Sequence, residues 1–113
     1  MCMSISSSGY VATINDGAYK NTAAMSFTTG TYHLFQMSWD STTLWARVDN
    51  GTPQTIAAGA NAFLGNFFIG SNWAQGTFIN GNILEIGTAQ SLLASSDFDN
   101  IRKYCNSRYG VSV

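Results

Sequence analysis

Residues 32–49 contain two alternating runs separated by a short polar turn, and this feature restricts the fold more than any other in the chain. Alternate side chains of a strand point to opposite faces. In YHLFQMSW, alternation therefore separates His33, Phe35, Met37 and Trp39 from Tyr32, Leu34, Gln36 and Ser38. In TLWARVD, it separates Leu44, Ala46 and Val48 from Trp45, Arg47 and Asp49. The pattern predicts a β-hairpin with one apolar face, and it assigns Trp39 to the core.

Similar short runs recur along the chain with turn residues between them. After Asp49, the residues Asn-Gly-Thr-Pro predict a turn, because Asn50 and Gly51 accept positive φ at low cost. Runs at this spacing are typical of an all-β sandwich or barrel. The runs outside the hairpin are GYVATI (9–14), AAMSFT (23–28), QTIAA (54–58), NFFIG (66–70) and TFINGNILEIG (77–87).

The segment SSDFDNIRKYCNSRYG differs from the rest and predicts a helix from Ser96 to Ser107. Ser95 or Ser96 is the expected N-cap, and Gly110 can end the helix. Phe98, Ile101 and Cys105 share one face at helical spacing. Because a single three-turn helix is marginal in water, we expect this face to dock on a sheet.

The length of 113 residues and the absence of a linker or charge run predict a single domain, 1–113. With five Lys and Arg, six Asp and Glu, and a net charge of −1, the chain lacks the basic surface that nucleic acids or membranes attract. No apolar run is long enough to span a bilayer, and no signal peptide is visible in MCMSISSSGY. Cys2 and Cys105 are expected to be unrelated thiols, the alternative being a bridge that closes nearly the whole chain.

The order of motifs from residue 30 to residue 113 resembles a known family. It runs from a YH…W strand through DSTTLWARVDNG, NFFIG and FINGNILEI to a short helix followed by Arg108-Tyr109-Gly110. This series resembles the concanavalin A-like jelly-roll domains of the laminin-G type, especially those of phage structural and microbial surface proteins. The resemblance implies an antiparallel β-sandwich closed by a C-terminal helix. Full domains of this type are longer, so the chain resembles the later part of one, and we expect a reduced sandwich or a homo-oligomer.

The residues do not predict an enzyme. Some relatives on this fold are glucan hydrolases with a Glu-x-Asp-x-Glu strand, whereas this chain has one glutamate, Glu85, and no carboxylate two residues away on either side. A second exposed carboxylate within about 10 Å of Glu85 would revive the enzyme hypothesis. There is no G-x-S-x-G motif and only one histidine, His33, which we interpret as a packed side chain with one hydrogen bond.

No Cys and His cluster predicts a zinc site, and no cofactor is expected. Calcium is the one alternative, because lectins and laminin-G modules often hold it through loop oxygens. A hard cation needs six or more converging oxygens, and the spacing of the candidates shows no such convergence. The candidate ligands are Asp16, Asp40, Asp49, Asn50 and Asn72.

Carbohydrate recognition needs an aromatic face for the sugar ring and polar groups for its hydroxyls. Trp45 is the first candidate, with Arg47 beside it; contact with a neighbouring subunit or with the C-terminal helix would equally explain its outward position. The second candidate is Trp73, with Asn72 and Gln75 in the loop GSNWAQG. We therefore predict a non-catalytic, lectin-like module of a virion or cell surface that binds a glycan or polysaccharide. The alternative is a structural subunit whose tryptophans lie between chains.

Overall fold

The regular elements of the described residues are mainly short strands, with one helix at the C-terminal end. The computed structural model describes residues 2–6, 9–15, 18–59, 80–89 and 93–113. Two three-stranded antiparallel sheets form, with strand orders β1-β2-β3 and β4-β5-β6. The prediction of a β-rich chain with a C-terminal helix is therefore confirmed. The elements are β1 Cys2–Ser6, β2 Gly9–Asn15, β3 Tyr19–Asn21, β4 Phe35–Trp39, β5 Thr43–Val48, β6 Gln54–Ala57 and α1 Ser95–Tyr109.

The predicted hairpin is present as β4 and β5. Phe35 pairs with Val48 at one end and Trp39 pairs with Leu44 at the other. The alternation has the predicted consequence, since the apolar face of β5 is buried and Trp39 packs against it. β5 is the central strand of the second sheet, because β6 pairs with its other edge.

The turn between β5 and β6 lies where the sequence predicts it, but a different residue takes the left-handed conformation. That residue is Asp49, with φ 51°, rather than Asn50 or Gly51. The main chain of Gly51 donates a hydrogen bond to the carbonyl of Val48 at 2.9 Å. A Cβ at Gly51 would lie 2.9 Å from that same oxygen, so glycine is needed here for close approach rather than for positive φ.

The first sheet packs against the apolar face of the second. Tyr10 from β2 and Leu44 from β5 are both fully buried and belong to one cluster. The Tyr10 hydroxyl also donates to the carbonyl of Gln36 at 3.3 Å, which ties the two sheets together across the core. Met25 forms only an isolated bridge with Tyr10, so the strand predicted at 23–28 is wrong beyond this single pairing.

The helix α1 runs two residues further at its C-terminal end than predicted, and it ends at Gly110 in the left-handed conformation, with φ 65°. The prediction of a serine N-cap is wrong, because Ala94 occupies that position. Its N–H donates instead to the carboxylate of Asp97, at 2.8 Å, and this bond fixes the first turn. Within the part of the chain that the structure describes, the helix buries one side chain, Phe98.

The helix covers the second face of the second sheet. The amide of Gln36 donates to the carbonyl of Phe98 at 2.9 Å, so β4 and α1 are joined directly. The described architecture is therefore first sheet, second sheet and helix, with β5 in the middle layer. The predicted run 66–70 lies outside the described residues, and residues 80–87 of the run 77–87 are exposed without strand pairing in the described part of the chain.

Candidate functional site

Trp45 lies beneath the helix. Its ring stacks on Phe98 with centroids 4.1 Å apart and planes inclined by 26°. Alternation correctly turns this side chain away from the apolar core, and the structure gives the partner that the sequence left open. Of the three environments considered for Trp45, contact with the C-terminal helix is the one observed.

Arg47 is also covered by the helix, with only 7% of the residue exposed. Its Nε donates to Gln36 at 3.0 Å and its Nη1 donates to Asp99 at 2.9 Å. Its guanidinium lies 5.5 Å from the centre of the Trp45 ring. Arg47 therefore holds the helix against β5 and does not reach the open surface beside Trp45.

A groove opens between the β4–β5 turn and the start of α1, with a volume of about 260 Å³. Trp45, Phe98 and Leu93 supply an apolar wall, while hydroxyls and one carboxylate supply polar atoms. The lining residues are Ser38, Asp40, Thr43, Trp45, Leu93, Ser95 and Phe98. A concave, partly apolar surface with a few polar groups is the usual form of a small-molecule site.

The carboxylate of Asp40 is held rigidly at the edge of this groove. Its Oδ1 accepts hydrogen bonds from the Thr42 hydroxyl, the Thr42 amide and the Thr43 amide, all at 2.7 Å. The hydroxyl and amide of Thr42, together with the amide of Thr43, hold the pKa of Asp40 below its ordinary value of 3.8. Within the described part of the chain, Oδ2 accepts no hydrogen bond and is available to a ligand.

His33 lies at the other end of β5 and is more strongly bonded than predicted. It packs beside the rings of Phe27 and Phe35, as expected for a packed histidine. Its Nδ1 lies 2.7 Å from a carboxylate oxygen of Asp49, and its Nε2 lies 2.6 Å from the carbonyl of Thr28. Nε2 also lies 2.9 Å from the Thr31 hydroxyl. Because the Asp49 and Thr28 oxygens can only accept, a proton on each ring nitrogen would satisfy both contacts, so this environment favours the imidazolium form.

The preference of His33 for its protonated form has a clear physical origin. Burial of the ring opposes the charge, but the hydrogen bonds to Asp49 and Thr28 and the negative charge of Asp49 outweigh burial and raise the pKa of His33 above 6.5. Asp49 also accepts a hydrogen bond from the Leu34 amide at 2.7 Å. The sequence prediction of one hydrogen bond missed this bridge, because it joins residues that are 16 positions apart.

We expect this pair to make stability depend on pH. Because the pKa of His33 is higher in the folded protein than in the unfolded chain, the contacts of its protonated form stabilise the fold fully below pH 6.5. This contribution is lost as the pH rises through the folded-state pKa. Asp49→Asn should remove the dependence and cost about 1.5 kcal/mol in acid, the lower end for bonds to charged groups. Urea unfolding at a series of pH values measures both effects. Asparagine tolerates the backbone at this position, so an unchanged pH slope in Asp49→Asn would contradict the assignment.

Glu85 lies against the C-terminal end of the helix. Its carboxylate accepts hydrogen bonds from the hydroxyls of Tyr104 and Tyr109, and Arg108 Nε lies 3.7 Å away. The hydrogen bond from Tyr109 is the largest cause of a pKa at Glu85 below its ordinary 4.5. A catalytic acid needs a raised pKa, so these contacts suit a fixed anion rather than a proton donor. They also give Arg108 and Tyr109 a role in tethering residues 80–89.

The candidate calcium ligands are not brought together where the structure describes them. Asp40 precedes β5 and Asp49 follows it, and a six-residue strand separates its ends by about 20 Å. Among the described residues, no three His, Cys, Asp or Glu side chains converge as a metal site would require. Asp16, Asn72, Trp73 and Gln75 lie outside the described residues. Cys105 is a half-buried free thiol.

The groove contains residues that the sequence did not single out for ligand binding. Ser38, Thr43 and Ser95 are hydroxyl residues of a kind found throughout this chain, so only their position beside Trp45 distinguishes them. The sequence suggests Asp40 only as a calcium ligand, although its position in the turn Asp40-Ser41-Thr42 is a usable signal. An aspartate at the start of a tight turn commonly accepts a hydrogen bond from the backbone two residues later, which fixes the position of its carboxylate.

Comparison with known proteins adds no relative. No family model, no curated protein and no solved structure matches the chain. Within the described residues, α1 is the one helix, and it lacks the length and apolar character for crossing a membrane.

Proposed function

We propose that the chain is a non-catalytic carbohydrate-binding module, with a concanavalin A-like jelly-roll sandwich, on a virion or cell surface. The observation that supports this proposal is the groove, whose lining combines two stacked aromatic side chains, Trp45 and Phe98, with hydroxyls and one fixed carboxylate. A sugar ring has apolar C–H faces and peripheral hydroxyls, so it matches such a lining. The volume lies just below the range of about 300–1,000 Å³ for ligand sites, and we expect one sugar ring of a glycan to enter.

In this proposal Trp45 contributes to the groove while it supports the helix. Trp45→Ala would remove the stack with Phe98 and disturb the fold, so lost binding in that variant would be ambiguous. Hydroxyl deletions at Ser38 and Thr43 are cleaner, because both side chains are small. Trp73, with Asn72 and Gln75, remains a second proposed contact, and Trp73→Ala belongs in the same test.

The test is a screen of sugars against the purified chain, with and without Ca²⁺, read by amide chemical shifts. We expect shifts at groove residues, and a loss of about three- to tenfold in affinity for Ser38→Ala and for Thr43→Val. Thr52→Val, at an exposed position in the other turn, is the matched control and should bind normally. Failure of every sugar to shift groove amides, or equal weakening by Thr52→Val, would refute the proposed site.

The second candidate function is a structural subunit that pairs with another copy. It is favoured by exposed apolar side chains on residues 80–89 and on the adjacent face of α1. Those side chains are Ile83, Leu84, Ile86, Ile101 and Tyr104. Mass in solution, recorded during the sugar screen, separates the two functions. A stable oligomer that dissociates in Ile83→Ser and binds no sugar would favour the structural role.

A further inference from the structure

The described lining of the groove carries one negative charge, at Asp40, and no positively charged side chain. The structure fixes the Asp40 carboxylate by three hydrogen bonds to Oδ1. Oδ2 accepts no hydrogen bond from the described residues and so presents a negative charge to whatever enters. A lowered pKa keeps Asp40 ionised well below neutral pH, because the Thr42 hydroxyl and the two turn amides favour its charged form.

One basic residue is close in sequence, but it does not offset this charge. Arg47 follows Trp45 on the same face of β5, and it is buried beneath the helix. Its charge is paired with Asp99 at 2.9 Å. Nη2 has no hydrogen-bond partner among the described residues, but Arg47 is not one of the described residues that line the groove.

The start of α1 is the remaining source of positive potential, since Ser95 lines the groove. A helix N-terminus carries the equivalent of about half a positive charge. Asp97 in the first turn carries a full negative charge, and its carboxylate accepts the Ala94 N–H. Asp97 lies in the same first turn and offsets the partial positive charge of the helix N-terminus, which leaves Asp40 as the one full charge among the described lining residues.

We infer that the groove selects sugars by charge, accepting neutral sugars, preferring those that carry a protonated amine, and rejecting acidic ones, with Asp40 as the residue that sets the preference. This inference rests on the proposed carbohydrate-binding function and adds the class of sugar. A carboxylate about 4 Å from a unit charge at a hydrated surface changes affinity by about fivefold in either direction. The expected difference between a cationic and an anionic sugar is therefore roughly twentyfold at low salt.

Three methyl glycosides that differ in one substituent test this inference on the full chain. They are methyl glucoside, methyl glucosaminide and methyl glucuronide, titrated in mildly acidic, low-salt buffer with amide shifts as the readout. We expect affinity to fall from the glucosaminide to the glucoside to the glucuronide. Asp40→Asn keeps an oxygen for the turn amides and removes the charge, so it should bring the three affinities within about threefold of one another.

Ser38→Ala is the matched control, because it removes a neutral groove hydroxyl. It should weaken all three sugars by a similar factor and leave their order unchanged. Equal binding of the glucuronide and the glucosaminide, or an unchanged order in Asp40→Asn, would overturn the charge inference while leaving carbohydrate binding in place. Absence of binding by all three sugars would overturn both.

Discussion

Phe98→Ala is expected to lower the free energy of unfolding by about 3–5 kcal/mol, the usual cost of deleting a buried aromatic side chain. Phe98 is 4% exposed, and among the described residues it is the one helix side chain that is buried. It stacks on Trp45, so its loss leaves a cavity between the helix and β5. A domain is typically stable by about 5–15 kcal/mol, so this one change removes a large share.

The loss should extend beyond the stack itself. An isolated three- to four-turn helix is marginal in water, so α1 depends on packing against the sheet. If the helix moves away from the sheet, Gln36 loses its hydrogen bond to the Phe98 carbonyl. Arg47 also loses its ion pair with Asp99, which leaves the buried guanidinium charge without that partner. We therefore expect reduced helical circular dichroism before the sheets unfold.

Ile101→Ala on the same helix is the control for Phe98→Ala. Ile101 is 37% exposed, so its truncation should cost less than about 1 kcal/mol. Urea unfolding and far-ultraviolet circular dichroism of both variants measure the difference. Similar losses in the two variants would show that the helix is not held by Phe98.

The sequence predicts best what depends on local alternation. The faces of β4 and β5 follow from a period of two, so the buried positions of β5 and the outward position of Trp45 were both predictable. Alternation does not say what covers an outward side chain. Trp45 faces a helix that begins 50 residues later in the chain, and only the tertiary fold brings them together.

The errors occur where a long-range contact decides a local conformation. Asp49 adopts positive φ, although Asn50 and Gly51 follow it, because its carboxylate bonds to the Leu34 amide and to His33. The hydrogen bonds that join the Asp49 carboxylate to the Leu34 amide and to His33 offset the free-energy cost of a positive φ at a residue other than glycine. The strand pattern of residues 80–87 fails for a related reason, since a strand needs a neighbour and none pairs with it among the described residues.

The groove illustrates the same limit for function. Its lining comes from β4, the β4–β5 turn, β5 and the start of α1, and no short motif contains them all. The turn aspartate, the hydroxyl residues and the tryptophan are each common in β proteins. Their combination becomes informative only once the helix docks, because Phe98 and Leu93 then close one wall.

Leu44→Ala is the second large change, with an expected cost of about 2–5 kcal/mol. Leu44 is fully buried in β5, in the same cluster as Tyr10 and Ala12 of β2. Its truncation therefore leaves a cavity between the two sheets rather than within one. The range is wide because the cost depends on how far the neighbouring side chains can move into the space.

Leu84→Ala is the control for Leu44→Ala. It removes the same atoms from a side chain that is 44% exposed, and it should change the free energy of unfolding by less than about 0.5 kcal/mol.

Hydrogen exchange of Leu44→Ala shows which backbone amides lose protection when the core is weakened. If the two sheets share one core, amides in β2 and β5 should lose protection together, since β2 has no other described layer against it. Protection retained in β2 while β5 is exposed would instead mean that each sheet is stable without the other. The buried cluster would then be a contact surface and not the common core of the fold.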